Sequence, residues 1–201
     1  MVRAQSSCRT ANDLDIGSTV LAYNDTGSLS GFHCVAFFVD KLIREKKVVA
    51  ASQKLFHSLT GTGGHAKSVK AVADGIADVC ALDCCVWSNL RRTNPASLRS
   101  LRPLKDGLLG PHPVQPVVAS KRLSPELCKR ITAAFVSLTQ HVLAEANMSH
   151  YTAITEDHYA AVRKQLNNST SVKSMLAQIA ASETSRATPD AVVTGDTEDH
   201  E

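Results

Sequence analysis

Two hydrophobic periodicities follow one another along the first 105 residues of the chain. Short continuous apolar runs bounded by Gly, Pro, Asn or Asp indicate strands, whereas apolar residues at i, i+3, i+4 and i+7 indicate helices. By these criteria the sequence predicts strands at residues 18–23, 57–62, 77–82, 98–104 and 114–119. It predicts helices at residues 31–43, 48–56, 66–73, 84–92, 124–146 and 155–166.

The order of these elements predicts an α/β fold with a parallel or mixed sheet flanked by helices. Residues 77–82, ADVCAL, form a run of small apolar side chains, which is typical of a strand buried on both faces of a parallel sheet. Gly75 stands where a helix over residues 66–73 would need a left-handed residue to end it. Residues 105–116 are rich in Gly and Pro and predict a crossing loop.

Composition narrows the class of protein. With 43% hydrophobic and 20% charged residues the chain has the composition of a globular domain. A net charge of +3 is too small to indicate a nucleic-acid groove or a polybasic membrane patch. No apolar run approaches the roughly 20 residues of a membrane span. The first twenty residues lack the apolar region of a secretory signal, so we expect a cytoplasmic location for the chain as given, and a periplasmic one if the gene extends upstream.

The six cysteines, two of which are the adjacent Cys84 and Cys85, do not match zinc-ribbon spacing. We therefore expect free thiols in a reducing compartment, no metal site and no cofactor. The histidines show no metal-ligand spacing, and no catalytic triad motif is present. A redox or metal site among Cys80, Cys84 and Cys85 is the alternative.

Three polar segments stand at predicted strand ends, where an α/β sheet binds its ligands. Ser28 and Ser30 precede the first helix, and hydroxyls with free N–H groups at a helix N-terminus suit an oxyanion. Thr62 and His65 lie in a glycine-rich turn before the next helix, and both can donate to an oxyanion. Asp83 follows the buried strand and could accept from a ligand's amine or hydroxyl. Each of these residues could instead only cap a helix or close a turn.

Two aromatic side chains are weaker candidates. Tyr23 closes the first strand and could cover a ligand or pack in the core. Trp87 lies on a short predicted helix, where core packing is favoured over ligand stacking.

Three stretches of the chain together resemble the phosphate-, phosphite- and phosphonate-type substrate-binding proteins of ABC transporters. They are LAYNDTGSLSGFHC, LTGTGGHAKSVKAVADGIADVCALDCCVW and PVQPVVASKRLSPELCKRI, and the resemblance covers about residues 14–165. It implies a type 2 periplasmic-binding-protein fold, in which two α/β lobes close on a small oxyanion, with an ABC permease as the partner of a full-length form. The domains would be an irregular N-terminus (1–17), a central ligand-binding lobe (18–110), a partial second lobe (111–166) and a short helix with a disordered acidic tail (167–201).

The resemblance also assigns ligand-binding roles, position by position. Ser28 and Ser30 match the hydroxyl pair that holds the phosphonate-like group. Thr62 and His65 match the Thr and His of the second turn, and Asp83 matches the acidic position after the buried strand. Tyr23 matches the aromatic residue of the Tyr-Asn-Asp segment.

The chain departs from the family pattern in ways that bear on its function. Gly64 stands where the family usually has Ser, which removes one donor, and Val118-Ala119-Ser120 replaces Val-Thr-Ser. The chain begins where family members are about a third of the way along, so most of the N-terminal lobe is expected to be absent and anion binding to be weak or lost. An apolar stripe on the helix at 124–146, formed by Leu127, Ile131, Phe135 and Leu138, would then be exposed and favour self-association.

Two other functions remain open from the sequence. One is an enzyme on the same fold, similar to the pyrimidine-synthesising enzymes of thiamine metabolism, in which Cys80, Cys84, Cys85 and His65 would act. The other is a degenerate interaction protein that keeps the fold and binds no anion. Bound iron would indicate the former, and thermal stability unchanged across a panel of anions would indicate the latter.

Overall fold

The structure of the chain is a computed structural model and describes residues 1–45, 55–105, 109–110, 112–146 and 148–186. The strands are β1 (Val2–Arg3), β2 (Val20–Tyr23), β3 (Ser58–Gly61), β4 (Val79–Cys80) and β5 (Leu101–Arg102). The α-helices are α1 (Cys34–Arg44), α2 (His65–Ala73), α3 (Cys84–Thr93), α4 (Pro125–Val136), α5 (Gln140–Glu145), α6 (Ala160–Asn168) and α7 (Thr170–Arg186). A π-helical turn, Leu29–His33, leads into α1.

The strands form one mixed sheet in the order β3-β2-β4-β1-β5. Strand β2 is parallel to both β3 and β4, with Leu21 opposite Leu59 on one side and Val79 on the other. Strand β1 runs antiparallel to β4 and β5. The predicted α/β class with a parallel or mixed sheet is therefore confirmed. Because β2, β3 and β4 are parallel, their carboxyl ends meet at one edge of the sheet.

The sheet has an apolar core on each face, because successive side chains of a strand point to opposite sides. Leu21 belongs to one core, with side chains of α1 and α7, and Ala22 belongs to the other, with side chains of α2. Helix α7 packs against β3 and α1 and buries Val172, Leu176 and Ala180. This double burial explains the apolar strand runs of the sequence.

Several predicted elements are confirmed with shifted ends. Helices α2 and α3 match the predictions closely, and Gly75 has the positive φ, 80°, that ends α2. Trp87 is half-buried against the second core, as its helical position favoured. The predicted helix at residues 48–56 lies mainly outside the described residues, as does the tail beyond residue 186.

Other predictions are wrong. Residues 1–17 were expected to be irregular, yet β1 adds an antiparallel strand there, since Val2 fits the apolar position opposite Val79. Residues 114–119 form no strand, because they do not pair with the sheet. The long helix expected at 124–146 is split into α4 and α5, with Thr139 in an extended conformation at the N-cap position of the second part. Helix α7 also extends to Arg186, into the segment expected to be disordered.

Helix α4 packs loosely on the rest of the chain. The structure describes all of α4 and buries none of its residues, and Leu127 is 38% exposed. An exposed apolar stripe of Leu127, Ile131, Phe135 and Leu138 was expected on this helix; Leu127 is exposed, whereas the other three side chains are half-buried. Among the described residues, no helix has both the length and the hydropathy that crossing a membrane requires.

Candidate functional site

Three predicted segments converge at the carboxyl edge of the parallel strands. Tyr23 is the last residue of β2, Gly61 is the last residue of β3, and Asp83 lies shortly after β4. Each strand is followed by a turn and then by the N-terminus of a helix, where backbone N–H groups lack partners within the helix. The edge thus collects helix N-termini with their partial positive charge.

Of the two serines in the first segment, only one points across to the second segment. Ser28 caps the π-helical turn, and its hydroxyl accepts a hydrogen bond from the Gly31 N–H at 3.1 Å. The Ser30 hydroxyl lies 3.2 Å from Nε2 of His65, at hydrogen-bond distance. These two residues are 35 positions apart in sequence, so the fold brings the serine and glycine-rich segments into direct contact.

The glycine-rich turn places His65 at the first position of α2. Gly63 has φ 73°, a left-handed conformation that favours glycine, and Gly64 caps the helix in an extended conformation. The Thr62 hydroxyl contacts the Ser68 hydroxyl at 2.7 Å, and it lies 3.0 Å from the Tyr23 carbonyl oxygen and 3.1 Å from that of Gly64. Thr62 therefore stabilises the turn and ties it to β2.

Asp83 is the N-cap of α3. Its Oδ1 accepts hydrogen bonds from the N–H groups of Cys85, at 2.8 Å, and Val86, at 3.3 Å. The same carboxylate lies near two further groups of the edge. Burial lowers the pKa of His65, and the Asp83 carboxylate partly offsets this. Burial, with a smaller contribution from Asp83, raises the pKa of the Cys34 thiol to about 12, so Cys34 stays protonated.

Tyr23 packs beneath the carboxyl edge of the sheet. Its side chain is 9% exposed and its ring meets that of Phe32 edge-on, with centroids 5.3 Å apart. Its hydroxyl would lie 2.9 Å from a Cβ placed on Gly61, so the glycine leaves room for the tyrosine. Burial raises the pKa of the Tyr23 phenol, which therefore remains neutral.

Sequence reasoning missed Asn24, which lies beside Gly31 and His65. A Cβ placed on Gly31 would lie 1.7 Å from Asn24 Oδ1 and 3.3 Å from His65 Cε1, so the three residues meet at one point. Asn24 directly follows β2 and therefore lies at the carboxyl edge, which is the signal that could have identified it. We call Asn24, Ser30, Gly31 and His65 the crevice residues.

Two buried polar atoms of the crevice residues lack a partner. Asn24 Oδ1 and His65 Nδ1 are both buried, and neither forms a hydrogen bond with any residue that the structure describes. A buried unpaired polar group costs about 1–3 kcal/mol. Such groups are uncommon in native proteins, and two at one point require an explanation such as a ligand. Because both atoms are covered, a ligand reaches them only when neighbouring side chains shift.

Two surface clefts lie elsewhere. One, of about 590 Å³, lies at the opposite end of α2 and is lined by residues such as Arg3, Asp74 and Asp78. The other lies between Trp87 and Arg99. The first cleft contains an Arg3–Asp78 ion pair at 3.3 Å, and Asp78 also accepts from the Val20 N–H at 2.9 Å. These groups already have partners, so we assign the candidate site to the crevice residues.

Comparison with known proteins agrees with this fold. A family model described as the phosphonate periplasmic substrate-binding protein of ABC transporters matches residues 1–159. A solved structure, the binding protein component of an ABC phosphonate transporter from Pseudomonas aeruginosa, superposes with a TM-score of 0.60 at 16% identity. The match covers 93% of this chain and 68% of that chain. A search among curated protein sequences found no match.

Proposed function

The chain belongs to the family of phosphonate substrate-binding proteins of ABC transporters, and from this premise we propose that it binds a small phosphate- or phosphonate-type oxyanion at the crevice residues. Ser30 and His65 would donate to the anion from the ends of two neighbouring helices. The family consists of transporter binding proteins, and we propose accordingly that the ligand is bound and released without chemical change.

The single observation that supports this proposal most is the unpaired Nδ1 of His65 beside the Ser30 hydroxyl. When His65 is an imidazolium, its Nε2–H donates to the Ser30 oxygen, so the Nδ1–H and the Ser30 O–H are both left to donate to an anion. An N–H at Nδ1 would donate to an oxyanion, which would remove the penalty of the buried unpaired group. The Asn24 amide, whose buried oxygen also lacks a partner, could present its NH₂ to the same anion after rotation by 180°.

The charges around the crevice residues favour an anionic ligand. The partial positive charge of the helix N-termini attracts an anion, and an imidazolium at position 65 would strengthen the attraction. Since burial lowers the pKa of His65 in the free chain, anion binding should be accompanied by proton uptake. The Asp83 carboxylate would repel a bare anion and would accept from an amine or hydroxyl elsewhere on the ligand.

Isothermal titration calorimetry with phosphate, phosphite and small phosphonates tests the proposal. We expect saturable heat with at least one of them, and Ser30→Ala should weaken binding by about 1–2 kcal/mol, roughly 5–30-fold. Ser174→Ala is a matched control, because Ser174 is exposed on α7 and bonds only within its own helix at 3.1 Å. His65→Ala should cost more affinity at pH 6 than at pH 8. Absence of heat with every anion at millimolar concentration would contradict the proposal.

An ABC permease is the proposed protein partner, by analogy with the transport system of the family. The family is described as periplasmic. The cytoplasmic location expected from the first residues remains a prediction, and fractionation of cells that produce the chain from its native gene would test it.

A further inference from the structure

Three metal-ligating side chains lie together at the N-terminus of α3. Asp83, Cys84 and Cys85 each offer one ligand atom, a carboxylate oxygen or a thiol sulfur, and these atoms lie within 4.8 Å of one another. Both cysteines are exposed and free of disulfides. Within the described residues, no other three His, Cys, Asp or Glu side chains come as close together.

The geometry suits one metal ion. At Zn–S distances of about 2.3 Å, two thiolates on a tetrahedral ion are roughly 3.8 Å apart, so small rotations of exposed side chains would bring the three ligands to one centre. Thiolates select soft and borderline cations over magnesium and calcium. Three protein ligands leave a fourth position for water or another ligand.

The local hydrogen bonds support the same conclusion. The Asp83 carboxylate is held by two backbone N–H groups of α3, so it is already oriented beside the two thiols. A bound cation would displace the thiol protons.

The other cysteines lack this arrangement. Cys34 and Cys80 are buried, where burial raises the pKa of each thiol. Cys8 and Cys128 are half-buried, and neither belongs to a cluster of three ligating side chains in the described part of the chain.

We propose that Asp83, Cys84 and Cys85 bind one soft divalent cation of the zinc and cadmium class. Of these three residues only Asp83 also has a role in the proposed oxyanion site. The crevice residues contribute no ligand to the cation, so its binding can be tested independently of the proposed function.

Titration of the reduced, metal-free full chain with Cd²⁺ tests this site, because thiolate-to-cadmium charge transfer absorbs in the ultraviolet. We expect one equivalent to bind with the absorbance of two thiolates. The variant Cys84→Ser/Cys85→Ser should lose this absorbance, whereas Cys128→Ser should keep it. Asp83→Asn retains a residue that can cap α3 and should weaken Cd²⁺ binding by at least the roughly 10–100-fold that loss of an outer-shell partner costs.

Circular dichroism of each variant establishes that it is folded, which substitution of exposed residues should preserve. Three results would overturn the proposal: no sulfur absorbance in the unmodified chain, equal absorbance in the Cys84→Ser/Cys85→Ser variant, or several equivalents bound alike by all variants. Unchanged affinity in Asp83→Asn would remove the carboxylate from the ligand set.

Discussion

Replacing Gly31 by Ala should disturb the crevice, because the added methyl group collides with a neighbouring side chain. The new Cβ would lie 1.7 Å from Asn24 Oδ1, 2.8 Å from Asn24 Cγ and 3.3 Å from His65 Cε1. The Asn24 amide must therefore move. Overpacking of this kind costs about 1–3 kcal/mol, which lowers Tm by roughly 2–12 °C for a chain of this size.

Gly64→Ala is the matched control for Gly31→Ala. A Cβ placed on Gly64 meets no atom within 4 Å, and its φ of 175° is open to any residue. The stability of both variants is measured by urea denaturation at pH 7.5, and their urea midpoints are compared provided that the denaturant dependence of the unfolding free energy is the same. We expect a clear loss of stability for Gly31→Ala and a smaller change, from the weaker helix cap, for Gly64→Ala.

A double-mutant cycle identifies the clash as the cause. Asn24→Ala removes the amide that the new Cβ would meet, so Asn24→Ala/Gly31→Ala should recover most of the stability lost in Gly31→Ala. Asn24→Ala alone removes a buried unpaired oxygen and should leave stability unchanged or raised. Equal midpoints for Gly31→Ala and Gly64→Ala, or no recovery in the double variant, would refute the reasoning.

Four further predictions concern pH, the turn and the exposed helix. Burial lowers the pKa of His33, and Lys173 lowers it further; the pKa of His65 is lowered as well. As the pH falls through about 6.5, the unfolded chain therefore binds more protons than the folded chain. The free energy of unfolding, measured by urea titration, should then fall between pH 7.5 and pH 5.5, and it should fall less steeply in His33→Gln. A free energy of unfolding that does not change with pH would contradict this. Gly64→Ser introduces a capping hydroxyl and should stabilise α2 by a few tenths of a kcal/mol in thermal unfolding. The same hydroxyl should tighten anion binding in calorimetry, and weaker anion binding would argue against a donor role at this position. Thr62→Val removes the 2.7 Å partner of the buried Ser68 hydroxyl, which keeps a longer bond of 3.4 Å to the Gly64 carbonyl, so the variant should lose about 0.5–1.5 kcal/mol in urea unfolding. Thr93→Val, at an exposed helix end, should lose less. The apolar face of α4 should cause dimers or aggregates in light scattering, and a stable monomer would count against that expectation.

Local patterns in the sequence were enough to predict the strands and helices that build the site. Residues 77–82 indicated a doubly buried strand because every side chain there is small and apolar except Asp78, whose carboxylate pairs at the strand start with Arg3 and the Val20 N–H. Gly75 marked the end of a helix through its left-handed backbone conformation, which depends on adjacent residues. Pairing of β1 could not be read in this way, because it joins Val2 to residues near 79 and 102.

By itself the sequence determined the α/β class and the placement of Ser30, His65 and Asp83 after predicted strands, since periodicity, glycine turns and the order of elements along the chain are read from the sequence. The tertiary structure alone decided what each polar side chain does there. It directs the Thr62 hydroxyl to Ser68 and Tyr23, uses Ser28 as a cap, and joins Ser30 to His65 beside an unpaired Asn24. The physical reason is that a hydroxyl bonds to whichever partner the fold brings within about 3 Å. Two of those partners, His65 for Ser30 and the Tyr23 carbonyl for Thr62, lie 35 and 39 residues away along the chain.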